Sequence, residues 1–318
     1  MRRLRSIATF TGFSLVLYLI WDVGRADILE AFVQIGWGFT LVVAIEGVAL
    51  SLRAFAWRAL STSHPKLPLT QWFLCRWIRQ AVNQLLPVAQ VGGELVGARA
   101  LNKLGLDIAQ AVSISVVDLT LGAIAQVVFT FAGLAIFLTL TQNTSYAGLM
   151  LLVALPLLGA VAGFAYFQQR GLVSFTLRRL ASKSKIIGAL IDDADAIDCA
   201  LRDLYQRRVP LFTNLTIQLG SQIATTLEIC LVCQLIGLPI GFPEAFVIQS
   251  LTRAVRAAAF FVPAGVGVQE LSVLWLTGVF GIPPAGAMAI ALVKRARELV
   301  VGLPALGVWM VREGALNR

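Results

Sequence analysis

Residues 76–99 read RWIRQAVNQLLPVAQVGGELVGAR, and residues 253–275 read RAVRAAAFFVPAGVGVQELSVLW. Each opens with two arginines one helical turn apart, Arg76 and Arg79 in the first, Arg253 and Arg256 in the second. Each then meets a proline, Pro87 or Pro263, with glycines behind it, Gly92 and Gly93 or Gly265 and Gly267. A glutamate follows seven residues beyond each proline, Glu94 or Glu270. The arginine-to-proline spacing differs by one residue, so the two stretches are similar rather than identical. Proline ends a helix by removing a donor and crowding the turn before it, and glycine permits a tight reversal. Each stretch therefore predicts two half-helices folded back as a re-entrant hairpin.

The surrounding chain says where such hairpins lie. Of its 318 residues, 58% are hydrophobic and 14% charged, against roughly 25% charged in an ordinary soluble domain. The apolar residues come in runs long enough to cross a hydrocarbon core, which takes about 20 helical residues. They do not alternate with polar ones, so helices are favoured over a barrel. The spans expected are Ile7–Trp21, Trp37–Trp57, Leu106–Leu140, Ala147–Phe167, Pro210–Ile236 and Pro284–Val311. The fold class is an all-α polytopic membrane protein, with about six spanning helices plus the two broken hairpins in an inverted repeat. Residues 1–318 form a single integral membrane domain. Within it, 168–208 is a polar segment in which Ile186, Ile187, Leu190, Ile191, Ala194, Ile197, Leu201 and Leu204 recur at helical spacing. This reads as an amphipathic helix lying on the membrane or capping the bundle.

The net charge of +9 would raise nucleic acid as a partner in a soluble protein. Here the basic residues lie between apolar runs and read as topology signals. With the N-terminus in the cytoplasm of a bacterial inner membrane, the cytoplasmic side holds Arg2, Arg3, Arg5, Arg53, Arg58, Lys66, Arg99, Lys103, the basic residues from Arg170 to Arg208, Arg312 and Arg318. The outer side holds Arg25. That asymmetry requires each broken stretch to return to the side it entered from, with the first entering from the cytoplasm and the second from outside. Cys230 and Cys233 form a CxxC inside an apolar run and read as packing residues. The single His64 has no ligand cluster, so no metal and no cofactor is expected.

Backbone that leaves the helix at membrane depth is tolerated where it is buried in protein or lines a wet cavity. Opposed broken helices around a midplane site are a transporter arrangement. Half-helix N-termini with arginines nearby favour an anionic group such as a lipid phosphate. The candidate substrate-binding residues are Arg76, Arg79, Asn83, Gly92, Gly93, Glu94, Arg253, Arg256, Gly265, Gly267 and Glu270, with Pro87 and Pro263 as hinges. Glu94 and Glu270 are expected to orient Arg79 and Arg256. Further ionisable residues fall inside spans, Glu46, Asp118, Glu228, Lys294, Arg295, Arg297 and Glu298. Of these, Asp118, Glu228, Arg295 and Glu298 are candidates for ion coupling. Arg295 and Glu298 stand one turn apart, where they can pair. Glu228 has no basic residue near it in the chain and is expected to face the cavity.

At this point the residues resemble a family. FFVPAGVGVQE at 260–270 with KRARELVVGLPALGVW at 294–309, and NQLLPVAQVGGELVGARAL at 83–101, are similar to the two signatures of the lysylphosphatidylglycerol synthase transmembrane-region family. SVVDLTLG at 115–122 resembles the family's Val-Asp-Arg helix, with Leu119 where the arginine would stand. The family's Pro-Gly-Gly is Pro263-Ala264-Gly265 here. The resemblance covers nearly the whole chain. It implies the fold of a membrane region held to flip aminoacylated phosphatidylglycerol in the multiple peptide resistance factor. The aminoacyl transferase half is absent before Arg318, so a stand-alone member is expected, similar in length to those of hopanoid-biosynthesis loci. The function implied is that of a flippase-like lipid translocase or lipid-export accessory and not an enzyme. Its partners would be a phospholipid or hopanoid-type lipid, together with lipid-biosynthesis enzymes, and not nucleic acid. An intramembrane lipid-modifying enzyme and a non-transporting scaffold are the rivals.

The charge asymmetry makes a direct prediction. In a cysteine-free background, Asn143→Cys is labelled by an impermeant maleimide added to intact cells, and Ser182→Cys is not. Labelling at 182 overturns the orientation.

Overall fold

The computed structural model describes residues 33–61, 67–86, 92–142, 194–238, 240–259, 262 and 267–314, with scattered positions between 148 and 166. The expected span Ile7–Trp21, most of Ala147–Phe167, Pro87, Pro263, Gly265, His64 and residues 168–193 lie outside them. The described residues form helices and no strand.

Among the described residues three helices are long and apolar enough to cross a membrane: α1 (Gly38–Leu60), α4 (Ile108–Thr141) and α6 (Arg208–Leu235). At about 1.5 Å per residue, the 34 residues of α4 reach roughly 50 Å, well beyond a hydrocarbon core of about 30 Å. The Asp107 side chain starts α4 by accepting the Ala109 N–H at 3.2 Å. Gln142 ends it in the left-handed region, at φ 49°. This stretch is thus one unbroken helix.

Each broken stretch is a pair of short helices. The first pair is α2 (Leu69–Leu85) and α3 (Gly92–Lys103), and the second is α7 (Phe242–Ala258) and α8 (Val268–Val279). Both pairs consist of 17 residues followed by 12, about 25 Å and 18 Å, and in each the two members pack on one another. The chain then continues into α4 after the first pair and α9 (Pro284–Gly314) after the second.

Packing repeats this correspondence. The pre-hairpin helices α1 and α6 pair along their length. Helix α2 packs on α9, and α7 packs on α4, so each hairpin leans on the long helix that follows the other one. The pairs α1–α2 and α6–α7, and α3–α4 and α8–α9, match in the same way. The internal repeat therefore spans four helices per half. Helix α5 (Ala194–Gln206) stands outside it and packs on α4. Ala194, Ile197, Leu201 and Leu204 are buried there, while Asp195 and Asp203 face outward.

Two apolar clusters hold the bundle. One gathers Val42 of α1, Leu134 and Phe137 of α4, and residues of α6 to α9. The other gathers Ala54, Trp57 and Leu60 of α1, Ile114 to Leu121 of α4, and parts of α2, α3 and α5. Along α1 the two clusters are separated by Glu46 and Arg53, and along α4 by Gln126 and Thr130. A polar layer therefore lies halfway along the spanning helices. Cys233 packs in the first cluster with Cys230 against it, both as free thiols.

Lipid tails are as apolar as leucine, so membrane helices gain stability from close contact, and small residues permit it. A Cβ built on Gly133 of α4 would sit 1.8 Å from Ser250 Oγ and 2.8 Å from Ser250 Cβ of α7. Gly133→Val should therefore cost about 1–3 kcal/mol and lower the thermal unfolding midpoint in detergent by several degrees. An unchanged midpoint would show that α4 and α7 do not approach this closely.

Candidate functional site

A charged side chain inside a bundle must find its partners within the bundle. Asp118 of α4 is the acceptor for four of them. Its Oδ2 accepts from Arg76 Nη1 and, at 3.1 Å, from Arg79 Nη1. Its Oδ1 accepts from Asn214 Nδ2 at 3.0 Å and Gln218 Nε2 at 2.8 Å, both on α6. Arg79 also holds Glu94 of α3 through a two-pronged pair: Nε donates to Oε2 at 2.6 Å and Nη2 to Oε1. The fork geometry of guanidinium fits a carboxylate in this way. Both guanidinium groups lie against the Trp57 ring, 5.1 and 5.3 Å from its centre. A second buried group joins α1, α2, α6 and α9. Arg297 Nη1 donates to Glu46 Oε2 at 2.8 Å and to Glu228 Oε2. Arg53 Nη1 donates to Glu46 Oε1 at 3.2 Å and to Gln80 Oε1 at 2.6 Å. A third ties the second hairpin to α9. Arg256 Nη1 donates to Glu298 Oε1 at 2.8 Å and Gln269 Oε1 at 2.7 Å. Arg295 bridges Glu270 and Glu298 at 2.8 and 2.9 Å.

These groups surround a cavity of about 390 Å³, a size that suits a small ligand or head group. Every helix of the repeat contributes to its wall. Of the residues singled out in the sequence, Arg76, Arg79, Asn83, Glu94, Asp118, Arg253, Arg256 and Glu298 line it. Glu270 and Arg295 stand behind the wall and reach it through Glu298. Gly92 opens α3 without lining the cavity. Asn83 Oδ1 accepts the Gly93 N–H at 2.9 Å, which fastens the start of α3 to α2.

Several expectations change. Glu228 does not face the cavity: it is 1% exposed and closed off by Arg297, a partner 69 residues away in the chain. Arg53 is not a topology signal but a cavity residue inside α1, paired with Glu46. Glu270 does not orient Arg256; it binds Arg295 and accepts the Gly267 N–H at 2.7 Å. The two halves thus resolve the same Arg and Glu differently, because α9 offers the second hairpin the acidic partner Glu298. Gly92 and Gly93 make no reversal, since both lie within α3. A Cβ on Gly93 would meet Asn83 Oδ1 at 2.4 Å and the Arg79 carbonyl oxygen at 2.6 Å, so Gly93 serves close contact. Gly267, at φ 83°, takes the backbone shape glycine allows most readily.

Sequence reasoning missed Gln80, Gln126, Gln218, Gln222 and Gln249 as cavity residues, and it marked Lys294 and Arg297 as charges inside a span without assigning them to the site. A signal for some of them was present. Asn214, Gln218, Ser221, Gln222 and Thr225 fall at helical spacing on one face of a spanning helix, and all are buried.

Asp118→Asn removes the charge that Arg76 and Arg79 share. Breaking a buried pair in this way costs about 3–5 kcal/mol. Asp203→Asn, at the exposed pair with Arg207, should cost less than about 1 kcal/mol. Thermal unfolding of both variants in detergent checks the order. Equal midpoints would mean that the buried network adds no stability.

The family described as the lysylphosphatidylglycerol synthase TM region matches residues 6–305. No curated protein matches the chain, and no solved structure does. The match covers nearly the whole chain, so the protein belongs to the lysylphosphatidylglycerol synthase TM region family, a multi-pass membrane family tied to lipid handling.

Proposed function

We propose that this protein is a flippase-like lipid translocase of a bacterial inner membrane, with both termini and the α5 segment in the cytoplasm. The observation that carries this reading is the charged cavity walled by two matched hairpins, halfway along helices that span the membrane. A lipid head group crossing a bilayer must exchange water for other polar partners, and such a cavity offers them at the depth where lipid offers none. On the charge asymmetry of the sequence the two hairpins enter from opposite leaflets, and each packs on the long helix following the other. Rocking of one half against the other would open the cavity to each side in turn. The cargo is a phospholipid or a hopanoid-type lipid, and the protein moves it without chemical change. Arg79 and Arg256 stand in the cavity wall, held by carboxylates from outside their own helices. Fixed in place, they can present their remaining N–H groups to a phosphate.

Reconstitution in liposomes tests the reading. Wild type should equilibrate a tail-labelled phospholipid between leaflets. Arg79→Ala and Arg256→Ala should slow it on the order of tenfold or more, the loss expected when a hydrogen bond to a charged group disappears. Lysine at either position should restore only part of the rate, because ammonium lacks the planar fork. Chemical turnover of the lipid would favour an enzyme, and neither movement nor turnover would favour a scaffold for lipid-synthesis proteins.

A further inference from the structure

The charges around the cavity do not cancel. Arg76 and Arg79 are matched by Glu94 and Asp118. Arg53 and Arg297 are matched by Glu46 and Glu228, and Arg256 and Arg295 by Glu270 and Glu298. Two lining cations are left over. Arg253 has one hydrogen bond, to Thr225 Oγ1 at 3.4 Å, and Lys294 has one, to Gln249 Oε1 at 2.8 Å. Neither contacts a carboxylate among the described residues. Four buried polar atoms in the same wall also lack partners among the described residues: the Thr252 hydroxyl, Gln269 Nε2 and Arg297 Nε, which can donate, and Gln222 Oε1, which accepts; Thr252 and Gln269 are each 1% exposed. Buried donors are normally satisfied, and a buried cation is costly unless it is paired. Arg253 follows Thr252 directly, on the cavity face of α7 that also carries Gln249 and Arg256.

We propose that Arg253 and Lys294, with Thr252 and Gln269, form an anion subsite for a phosphate ester, and that this makes the cavity selective for head groups of net negative charge. This deepens the translocase reading and rests on it for the cargo being a lipid. A phosphate with no cation of its own supplies the missing counter-charge, and its oxygens accept from the unpartnered Thr252 and Gln269 donors and from the remaining N–H groups of Arg253 and Lys294. A head group carrying ammonium groups brings positive charge among guanidiniums that already repel it. A lysyl ester of phosphatidylglycerol, which has a net positive charge, is therefore disfavoured here.

Two measurements on the full-length protein test this. In proteoliposomes, tail-labelled phosphatidylglycerol should move at least about tenfold faster than its lysyl ester and faster than phosphatidylcholine. The double variant Arg253→Gln/Lys294→Gln should lose that preference. In detergent, phosphatidylglycerol should raise the thermal unfolding midpoint of wild type more than phosphatidylcholine does, and the double variant should not discriminate. Inorganic phosphate is the separate arm: an equal shift with phosphate alone would assign the subsite to a free anion and overturn the lipid assignment. Movement of all three lipids at one rate overturns the selectivity while leaving the translocase reading intact. Charge-selective binding without movement overturns the translocase reading and leaves the subsite standing. A shift equal for anionic and zwitterionic lipid, or unchanged in the double variant, overturns the subsite.

Discussion

A charge buried within a membrane helix bundle has no solvent to fall back on, and the arrangement of this protein follows from that constraint. Asp118 sits on the most apolar of the described spanning helices. An ionised carboxylate alone there would be costly. It is kept by two arginines from α2 and two amides from α6. Those four donors in turn fix how the first hairpin lies against the spanning helices. The same logic places Glu46 between Arg53 and Arg297 and ties α1 to α9. The ionic groups thus act as docking points between helices, while the two apolar clusters fill the ends of the bundle.

Buried ion pairs are poor sources of net stability compared with well-packed apolar side chains. Their concentration here points to a purpose other than holding the fold. Two matched hairpins, each leaning on the other half's long helix, make the cavity wall a composite of both halves. A movement of one half relative to the other changes that wall, whereas movement within one apolar cluster would leave it unaltered. The architecture and the charge pattern therefore single out the same cavity. The family match agrees on its broad nature, a membrane protein concerned with lipid.

Much of this was legible along the chain. Apolar runs and the low charge content gave away a helical membrane protein, and the Arg…Pro…Gly…Glu order revealed the hairpins before any coordinates. The structure adds that both hairpins share the same 17-and-12-residue construction. Arg76, Arg79, Asn83, Glu94, Arg253 and Arg256 were marked as site residues and do line one cavity. Glu228 was misread because a charge in a span was judged by its neighbours in sequence, whereas its partner came from another helix. Arg53 was misread because its place near the end of an apolar run hid a partner on its own helix, Glu46. Arg297 lies 69 residues from Glu228 and 251 from Glu46, separations at which no local pattern speaks.

The sequence by itself determined the solvent, the helical class and the position of the breaks, because these depend on local properties. Hydrocarbon demands long apolar runs, helices satisfy their own backbone, and a proline with glycines close behind it disfavours continued helix, whereas the lone Pro304 stays inside α9. Only the tertiary structure decided which charge meets which. It gave Arg79 the glutamate of its own hairpin and Arg256 one from α9, although the two motifs read alike. It left Arg253 and Lys294 without a carboxylate partner among the described residues. Pairing at short range depends on which helix faces lie a few ångströms apart, and that is set by the packing of the whole bundle rather than by any segment of it.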